Sequence, residues 1–263
     1  MELVGTRLAR LICGITFDPQ GYCGKAAVSV YALKNLDVGQ AFEKCEALMD
    51  LAVSSHFKVE RRRRGAVLLF TVSQATVCGA LLGNGIPVVL RGCGVVQVKD
   101  GEALRFVEFL EYEGTTVEPD LIFMDLGLTA VNEMASTGSG KIIASFLEVP
   151  VAARDAAEEV LERLTAQGFR CVIQMGEPNA PLLGMLVASD RIGIAITSEA
   201  NPVAALVEDG AVVKSKIYKL VELSELLQAA PHVEEPLQRG DVAEDCKDEH
   251  APAQNREAQE CEP

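Results

Sequence analysis

Two stretches of the chain share the same order of hydrophobic and polar positions. The segment "GKAAVSVYAL" from Gly24 matches "GKIIASFLEV" from Gly140, and both have the β-branched, apolar composition typical of strands. Each leads into residues 36–53 or 151–168, whose apolar positions recur every three or four residues and predict an amphipathic helix. Gly168 stands where glycine commonly ends a helix. The pattern therefore predicts a repeated strand-helix unit.

A second matched pair lies further along each unit. "GAVLLFTVSQATVCGALLGNGIPVV" aligns without a gap with "RIGIAITSEANPVAALVEDGAVV" when Gly85 is set on Gly210. Both are typical of a strand, a tight turn, a short helix, a glycine stop and another strand. We therefore predict an α/β fold of two related halves, about 1–115 and 116–229, in one domain over 1–229. The first half adds a long alternating strand, "LRFVEFLEYEGTTV", and we take the shorter "KIYKLVEL" as its counterpart.

The repeat also explains a Gly-Lys pair that looks at first like a phosphate-binding loop. In "ASTGSGKIIASF" the first glycine of that motif is replaced by Ala135, and Ile142 stands where a Mg²⁺-binding hydroxyl is needed. A phosphate loop also opens a helix, whereas this pair opens a β-branched segment. We interpret the pair as the entry to a strand.

Composition narrows the class of protein. The 263 residues are 49% hydrophobic, with no apolar run long enough to span a membrane and no convincing signal peptide, so we expect a cytoplasmic protein without membrane contact. The net charge is −14, and about half of it lies in the acidic tail 230–263, which we predict to be disordered. The body is still acidic, and we interpret its basic run 61–64 as a solvated loop. We therefore expect no direct nucleic-acid binding.

The two turns that lead from a strand into a short helix, which we call the elbows, are the best candidate sites. Asn201 suits the N-cap of the second elbow helix, Pro202 its first position, and the repeat makes Thr76 the N-cap of the first. Such N-termini attract carboxylate or phosphate, and there the thiol of Cys78 would have a lowered pKa. The alternative is that Cys78 is a buried apolar thiol.

Other chemistry finds no support in the sequence. Eight cysteines include no CxxC pair and only three histidines are present, which argues against a metal site. His56 stands alone in the body, and no histidine lies near a serine or cysteine in a known catalytic pattern. We expect neither a catalytic site nor a cofactor.

Five segments, in this order, resemble the NrpR regulatory domain of archaeal nitrogen repressors over about 13–228: "ATVCGALLGNGIPVVLRGCG", "RFVEFLEYEGTTVEPDLIF", "GKIIASFLEVP", "GEPNAPLLG" and "RIGIAITSEANPVAALVEDG". The resemblance implies a sensor of 2-oxoglutarate that relieves repression of nitrogen-assimilation genes. In that family an N-terminal winged helix contacts DNA, and we find no match to it here. We therefore expect a homodimeric regulatory domain that acts through a DNA-binding repressor subunit.

The resemblance also bears on the site. A cysteine of the family's first-elbow motif falls on Cys78, and Arg191, Arg105 and Arg91 are possible partners for a carboxylate. One departure is Glu199, at a position where the family has glycine, because its carboxylate would repel a dicarboxylate. Two alternatives stay open: an enzyme on a small anionic metabolite with Cys78 as nucleophile, and a structural subunit that binds no ligand.

Overall fold

A computed structural model describes residues 2–62 and 66–227 of the chain. The acidic tail that we predict to be disordered, 230–263, lies outside these residues, as do Arg63 and Arg64 of the basic run.

Strands and helices alternate along the described residues. The strands are β1 Lys25–Lys34, β2 Phe57–Arg61, β3 Val67–Val72, β4 Val89–Lys99, β5 Glu102–Glu111, β6 Gly140–Pro150, β7 Val172–Met175, β8 Arg191–Thr197 and β9 Val212–Glu222. The α-helices are α1 Val4–Cys13, α2 Val38–Leu48, α3 Ala75–Gly83, α4 Pro119–Asp125, α5 Val131–Thr137, α6 Arg154–Ala166, α7 Asn201–Glu208 and α8 Ser224–Leu227.

The strands form two antiparallel sheets. The first sheet has the order β2-β3-β1-β9 and the second has the order β5-β4-β6-β8-β7. Their registers obey the repeat found in the sequence, since Val28 faces Val72 in the first sheet and the equivalent Ala144 faces Thr197 in the second. The prediction of a mixed α/β fold with two related halves is confirmed.

The halves exchange strands. The strand after the first elbow, β4, pairs with β6 of the second half, and the strand after the second elbow, β9, pairs with β1 of the first half. The counterpart of β9 is therefore β4, and our assignment of "KIYKLVEL" to the long strand β5 is wrong. Alternation alone could not separate β4 from β5 as the counterpart; the deciding feature is that β4, like β9, directly follows an elbow helix. β5 is an addition at the edge of the second sheet.

The two amphipathic helices form within the predicted segments. α2 begins at a capping box, in which Asp37 accepts from the backbone of Gln40 and the Gln40 side chain accepts from the backbone of Asp37. α2 packs against α7 and α6 packs against α3, so each helix covers the elbow helix of the other half. The buried positions of the two helices are Ala41, Cys45, Leu48, Ala157, Val160, Leu161 and Leu164.

The glycine of each Gly-Lys pair is required by a close backbone approach. A Cβ added at Gly24 would meet the carbonyl oxygen of Thr16, and one added at Gly140 would come within 2.5 Å of the carbonyl oxygen of Ala130. Gly24 also has a φ of +97°, which side chains rarely adopt. The repeated pair therefore has a structural role at the entry of the first strand of each half.

The turn-rich segment between β7 and β8 covers the outer face of the second sheet. Its Leu182 is buried in a cluster with Phe146, and the carbonyl of Leu183 accepts from the backbone N–H of Phe106 in β5 at 2.9 Å. None of the helices in the described ranges is long and apolar enough to cross a membrane.

Candidate functional site

In each elbow, a serine just before the helix binds the backbone at the start of that helix. Ser73 Oγ accepts from the backbone N–H of Ala75 at 3.3 Å, and the equivalent Ser198 Oγ accepts from Ala200 N–H at 3.1 Å. Gln74 and Ala200 are consequently the N-cap residues, and neither cap position uses its side chain as a cap. Our assignment of Thr76 and Asn201 as N-caps is wrong, because the helices begin earlier, at Ala75 and at Asn201 itself.

Thr76 and Asn201 instead attach each elbow to the first strand of a half. Thr76 Oγ1 accepts from the N–H of Ala27 and donates to its carbonyl, both at 3.0 Å. At the equivalent place, Asn201 Oδ1 accepts from Ile143 N–H at 2.7 Å and its amide nitrogen donates to the carbonyls of Ile143 and Leu51 at 2.9 and 2.8 Å. Both side chains are fully buried, and their polar groups are already bonded within the fold.

Cys78 lies in the first turn of α3, as expected, but its thiol is fully buried. Burial, with a smaller contribution from Cys171, raises the pKa of Cys78 to about 12. The expected lowering of the pKa is wrong, because loss of water outweighs the positive end of a short helix. The surroundings match the alternative of an apolar thiol in the core.

A buried ionic network lies between the two elbows, and sequence reasoning missed it. We call it the buried charge cluster, and it consists of Lys216, Glu118, Asp120 and Glu199. The ammonium of Lys216 lies 2.9 Å from Asp120 Oδ2, 3.4 Å from Glu199 Oε1 and 3.8 Å from Glu118 Oε2. Its members come from three separate segments of the chain, and the signal in the sequence is limited to a lysine two positions before Tyr218 in β9.

Tyrosine hydroxyls complete the cluster. Tyr31 donates to Asp120 Oδ2 and Tyr218 donates to Glu118 Oε2, both at 2.7 Å. Burial acts to lower the pKa of Lys216, but its interactions with Asp120, with the two tyrosines and with Glu199 together outweigh burial and raise that pKa well above its usual value. Arg7 brings a second positive charge within 3.0 Å of Glu118. Counting Arg7, which lies outside the cluster as defined, two basic side chains face three carboxyl groups.

Glu199 fills the space at the start of α3. Its carboxylate accepts from Ser29 Oγ at 2.7 Å and from the backbone N–H of Gln74 at 3.3 Å, and the residue is fully buried. The acid that we expected to repel a dicarboxylate is thus bonded inside the protein, where it accepts from one backbone N–H of this elbow, that of Gln74.

Two of the three candidate arginines line one open cavity of about 280 Å³, and the third does not. Arg91 pairs with Glu111 at 3.0 Å and with Glu148 at 3.1 Å. Arg191 Nη1 is buried and has no hydrogen-bond partner among the described residues. Arg105 lies exposed on β5, away from the cavity. The residues that line the cavity are Val89, Leu90, Arg91, Glu111, Glu113, Glu148, Ala188 and Arg191.

Within residues 2–62 and 66–227, no group of three or more His, Cys, Asp or Glu side chains is placed to hold a metal ion. His56 takes part in a local chain of hydrogen bonds, with Tyr22 Oη at 2.6 Å from Nε2 and Ser54 Oγ at 2.6 Å from Nδ1.

Over residues 1–228 the chain matches the family of NrpR regulatory domains NRD1 and 2. The chain belongs to the NrpR regulatory domain family. Among the relatives of this NrpR domain is the global nitrogen regulator NrpRI of Methanosarcina mazei, 27% identical over 78% of this chain and 66% of the relative. The global nitrogen regulator NrpR of Methanococcus maripaludis is 30% identical over 67% of this chain and 30% of the relative. The global nitrogen regulator NrpR of Methanocaldococcus jannaschii is 31% identical over 56% of this chain and 27% of the relative.

The fold of the NrpR domain has a solved counterpart. A nitrogen repressor-like protein from Methanococcus jannaschii superposes with a TM-score of 0.75 over 86% of this chain and 98% of its own, at 22% identity. The matches to the three regulators span 66%, 30% and 27% of their lengths, each under two thirds. The names of these relatives support a role in transcriptional regulation, and none of them is named as an enzyme.

Proposed function

We propose that the chain is the effector-sensing domain of a transcription regulator of the nitrogen-repressor type. It binds a small dicarboxylate, with 2-oxoglutarate as the first candidate, and acts in the cytoplasm through a partner that carries the DNA-binding module. Binding shifts the equilibrium between two states of the domain, because the ligand has a higher affinity for one of them.

The observation that carries this proposal is the guanidinium of Arg191. One of its nitrogens is buried without a hydrogen-bond partner among the described residues, beside an open cavity of about 280 Å³. A buried donor without a partner is costly, and a carboxylate is the group that a guanidinium binds best. Arg91 on the same cavity wall supplies a second guanidinium, so the two could bind the two ends of a dicarboxylate.

The acids of the cavity limit the affinity for an anion. Arg91 is held by Glu111 and Glu148, and Glu113 lies on the same wall. The Glu111 side chain is 57% exposed, so its pairing with Arg91 is weak and an incoming carboxylate can displace it. Glu148 is buried and also accepts from Ala188 N–H at 3.2 Å, so it stays in place.

The position of the cavity suggests how binding reaches the rest of the domain. Arg91 belongs to β4 and Arg191 begins β8, the two strands that flank β6 in the second sheet. β4 comes from the first half and β8 from the second. A ligand that bridges the two arginines would therefore connect the halves across β6.

The test is thermal unfolding of the purified chain with millimolar 2-oxoglutarate, and with succinate and glutamate for comparison. A ligand at one hundred times its Kd adds about 2.7 kcal/mol of stability, which raises Tm by several degrees in a chain of this size. We expect a selective rise that is lost in Arg191→Met and larger in Glu111→Gln. The rise should persist in Arg105→Met, because Arg105 does not line the cavity, and in the surface control Arg170→Met.

A rise that persists in Arg191→Met would place the ligand elsewhere and contradict this site. No rise with any of the three acids would contradict the sensor proposal. It would favour the second candidate, a regulatory subunit without a ligand, for which the supporting observation is that the Glu199 carboxylate already binds Gln74 N–H of the first elbow and Ser29 Oγ of β1.

A further inference from the structure

The connection between β7 and β8, residues 176–190, is much longer than its counterpart in the first half, residues 62–66 between β2 and β3. We call residues 176–190 the long loop. It borders the cavity proposed for the dicarboxylate, because Ala188 lines that cavity and Arg191 is the first residue after the loop. The extra length of the second half therefore lies beside the proposed ligand site.

The long loop begins with a tight turn. The N–H of Ala180 donates to the carbonyl of Glu177 at 3.2 Å, so Pro178 and Asn179 take the two central positions of the turn. Asn179 has a φ of +57°. Proline favours the first central position of such a turn, and asparagine is one of the few residues that tolerate the positive φ of the second. The local sequence therefore favours the turn that presents Asn179 to the end of the loop.

Asn179 binds the backbone on both sides of the Asp190–Arg191 peptide. Its Oδ1 accepts from the N–H of Asp190 at 2.7 Å, and its own N–H donates to the carbonyl of Arg191 at 3.0 Å. The carbonyl of Asp190 in turn accepts from the N–H of Val151 at 3.0 Å. Asp190 has a φ of +58°, which non-glycine residues rarely adopt. These contacts fix the direction in which the Arg191 side chain leaves the backbone.

The other end of the long loop holds the second arginine of the cavity. The N–H of Ala188 donates to Glu148 Oε1 at 3.2 Å, and the same oxygen accepts from Arg91 Nη1 at 3.1 Å. Glu148 is buried, so it is fixed between the loop and the guanidinium. One loop thus orients both guanidinium groups, the first through the backbone of its own residue and the second through a buried carboxylate.

We propose that Asn179 is a positioning residue of the dicarboxylate site, and that it holds the guanidinium of Arg191 inside the cavity. The role in ligand binding rests on the proposed function, whereas the placement of Arg191 can be measured without a ligand. Arg191 Nη1 is buried and has no hydrogen-bond partner among the described residues, so water would bind it better than the empty cavity does. The two backbone contacts of Asn179 oppose the shift of Asp190 and Arg191 that would turn the guanidinium outward.

Labelling of arginines in the full chain with phenylglyoxal, followed by peptide mass spectrometry, measures this placement. Asn179→Gly keeps the turn, because glycine adopts a positive φ, but loses the bond to Asp190 N–H. The net contribution of one hydrogen bond corresponds to about two- to ten-fold in an equilibrium, so labelling of Arg191 should rise by at least about two-fold. Asn179→Asp keeps an acceptor oxygen and should restore the wild-type rate. Arg170, with a side chain 71% exposed, is the internal reference.

Leu182→Ala is the matched control for a general loosening of the long loop. It removes a buried side chain that anchors the loop on the second sheet and leaves the contacts of Asn179 in place. Arg191 should therefore label in Leu182→Ala as it does in the wild type. Labelling of Arg191 at the wild-type rate in Asn179→Gly, or an equal rise in both variants, would overturn the proposal.

Calorimetric titration with 2-oxoglutarate measures the consequence for the ligand. We expect the Kd to rise about two- to ten-fold in Asn179→Gly and to stay unchanged in Leu182→Ala. A wild type that binds 2-oxoglutarate with the same Kd as Asn179→Gly would contradict the positioning role. A wild type that binds no 2-oxoglutarate would count against the proposed function instead, because the labelling rates still decide whether Asn179 positions Arg191.

Discussion

Replacing Lys216 by methionine should reveal how strongly the buried charge cluster depends on its one buried cation. The ammonium lies within 4 Å of three carboxylates, at 2.9, 3.4 and 3.8 Å. Methionine keeps most of the side-chain length and removes the charge, so Glu118, Asp120 and Glu199 keep only their neutral donors and Arg7. Breaking a buried ion pair from one side typically costs about 3–5 kcal/mol. For a domain of this size the Tm should fall by roughly 6–20 °C.

Urea unfolding of the wild type and variant measures the loss, and Lys214→Met is the matched control, because Lys214 is exposed on the same strand. The double variant Lys216→Met/Asp120→Asn isolates the interaction. It should be less destabilised than the sum of the single variants, because Asp120 no longer carries an uncompensated charge. A loss under about 1 kcal/mol for Lys216→Met, or strictly additive losses, would refute this account of the cluster.

Three further outcomes follow from the same contacts. Burial lowers the pKa of His56 from its usual 6.5, so the folded state disfavours the charged ring. The contribution of neutral His56 to stability is therefore complete above about pH 6.5 and falls as the pH falls below it. The urea midpoints of the wild type at about pH 7.5 and 5.5 should differ by more than those of His56→Gln. Because burial raises the pKa of the Cys78 thiol to about 12, iodoacetamide should label the exposed Cys13 in the native protein and Cys78 only after unfolding. Peptide mass spectrometry measures the two labelling rates, and equal rates in the native protein would contradict this. Asn201→Ala removes three hydrogen bonds and should lower the free energy of unfolding in urea by about 3 kcal/mol, which is more than Thr76→Ala should lower it. The reverse order would contradict the assigned roles.

The fold could be predicted where it depends on local patterns. The positions of β1, α2, β6 and α6 follow from alternation, helical periodicity and a glycine at each strand entry, all of which lie within a few residues of one another. The exchange of β4 and β9 between the halves does not, because a strand carries no local mark of its neighbour. Strand pairing is decided by packing over the whole chain, and the repeat predicted only that the halves are related.

The candidate site was predicted only in part for the same reason. The elbows are visible in the sequence, but whether Thr76 or Asn201 faces solvent or a backbone strand depends on where Ala27 and Ile143 lie. The sequence suggested three arginines, and only the pairing of β4, β6 and β8 selects Arg91 and Arg191. In the sequence Lys216 is one lysine among several in β9, and only the fold shows that Asp120 and Glu199 of other segments lie against it.

The exchanged strands also set the order in which the domain can be completed during synthesis. Synthesis runs from the N-terminus, so β1 leaves the ribosome with β2 and β3 soon after it, whereas its other neighbour, β9, is made only after β2 to β8. Until then one edge of the nearly all-apolar β1 has no partner, and exposed strand edges of this kind promote aggregation. Truncated products that end before β9 would keep that edge open permanently, so we expect the solubility of the first half to depend on β9 being present.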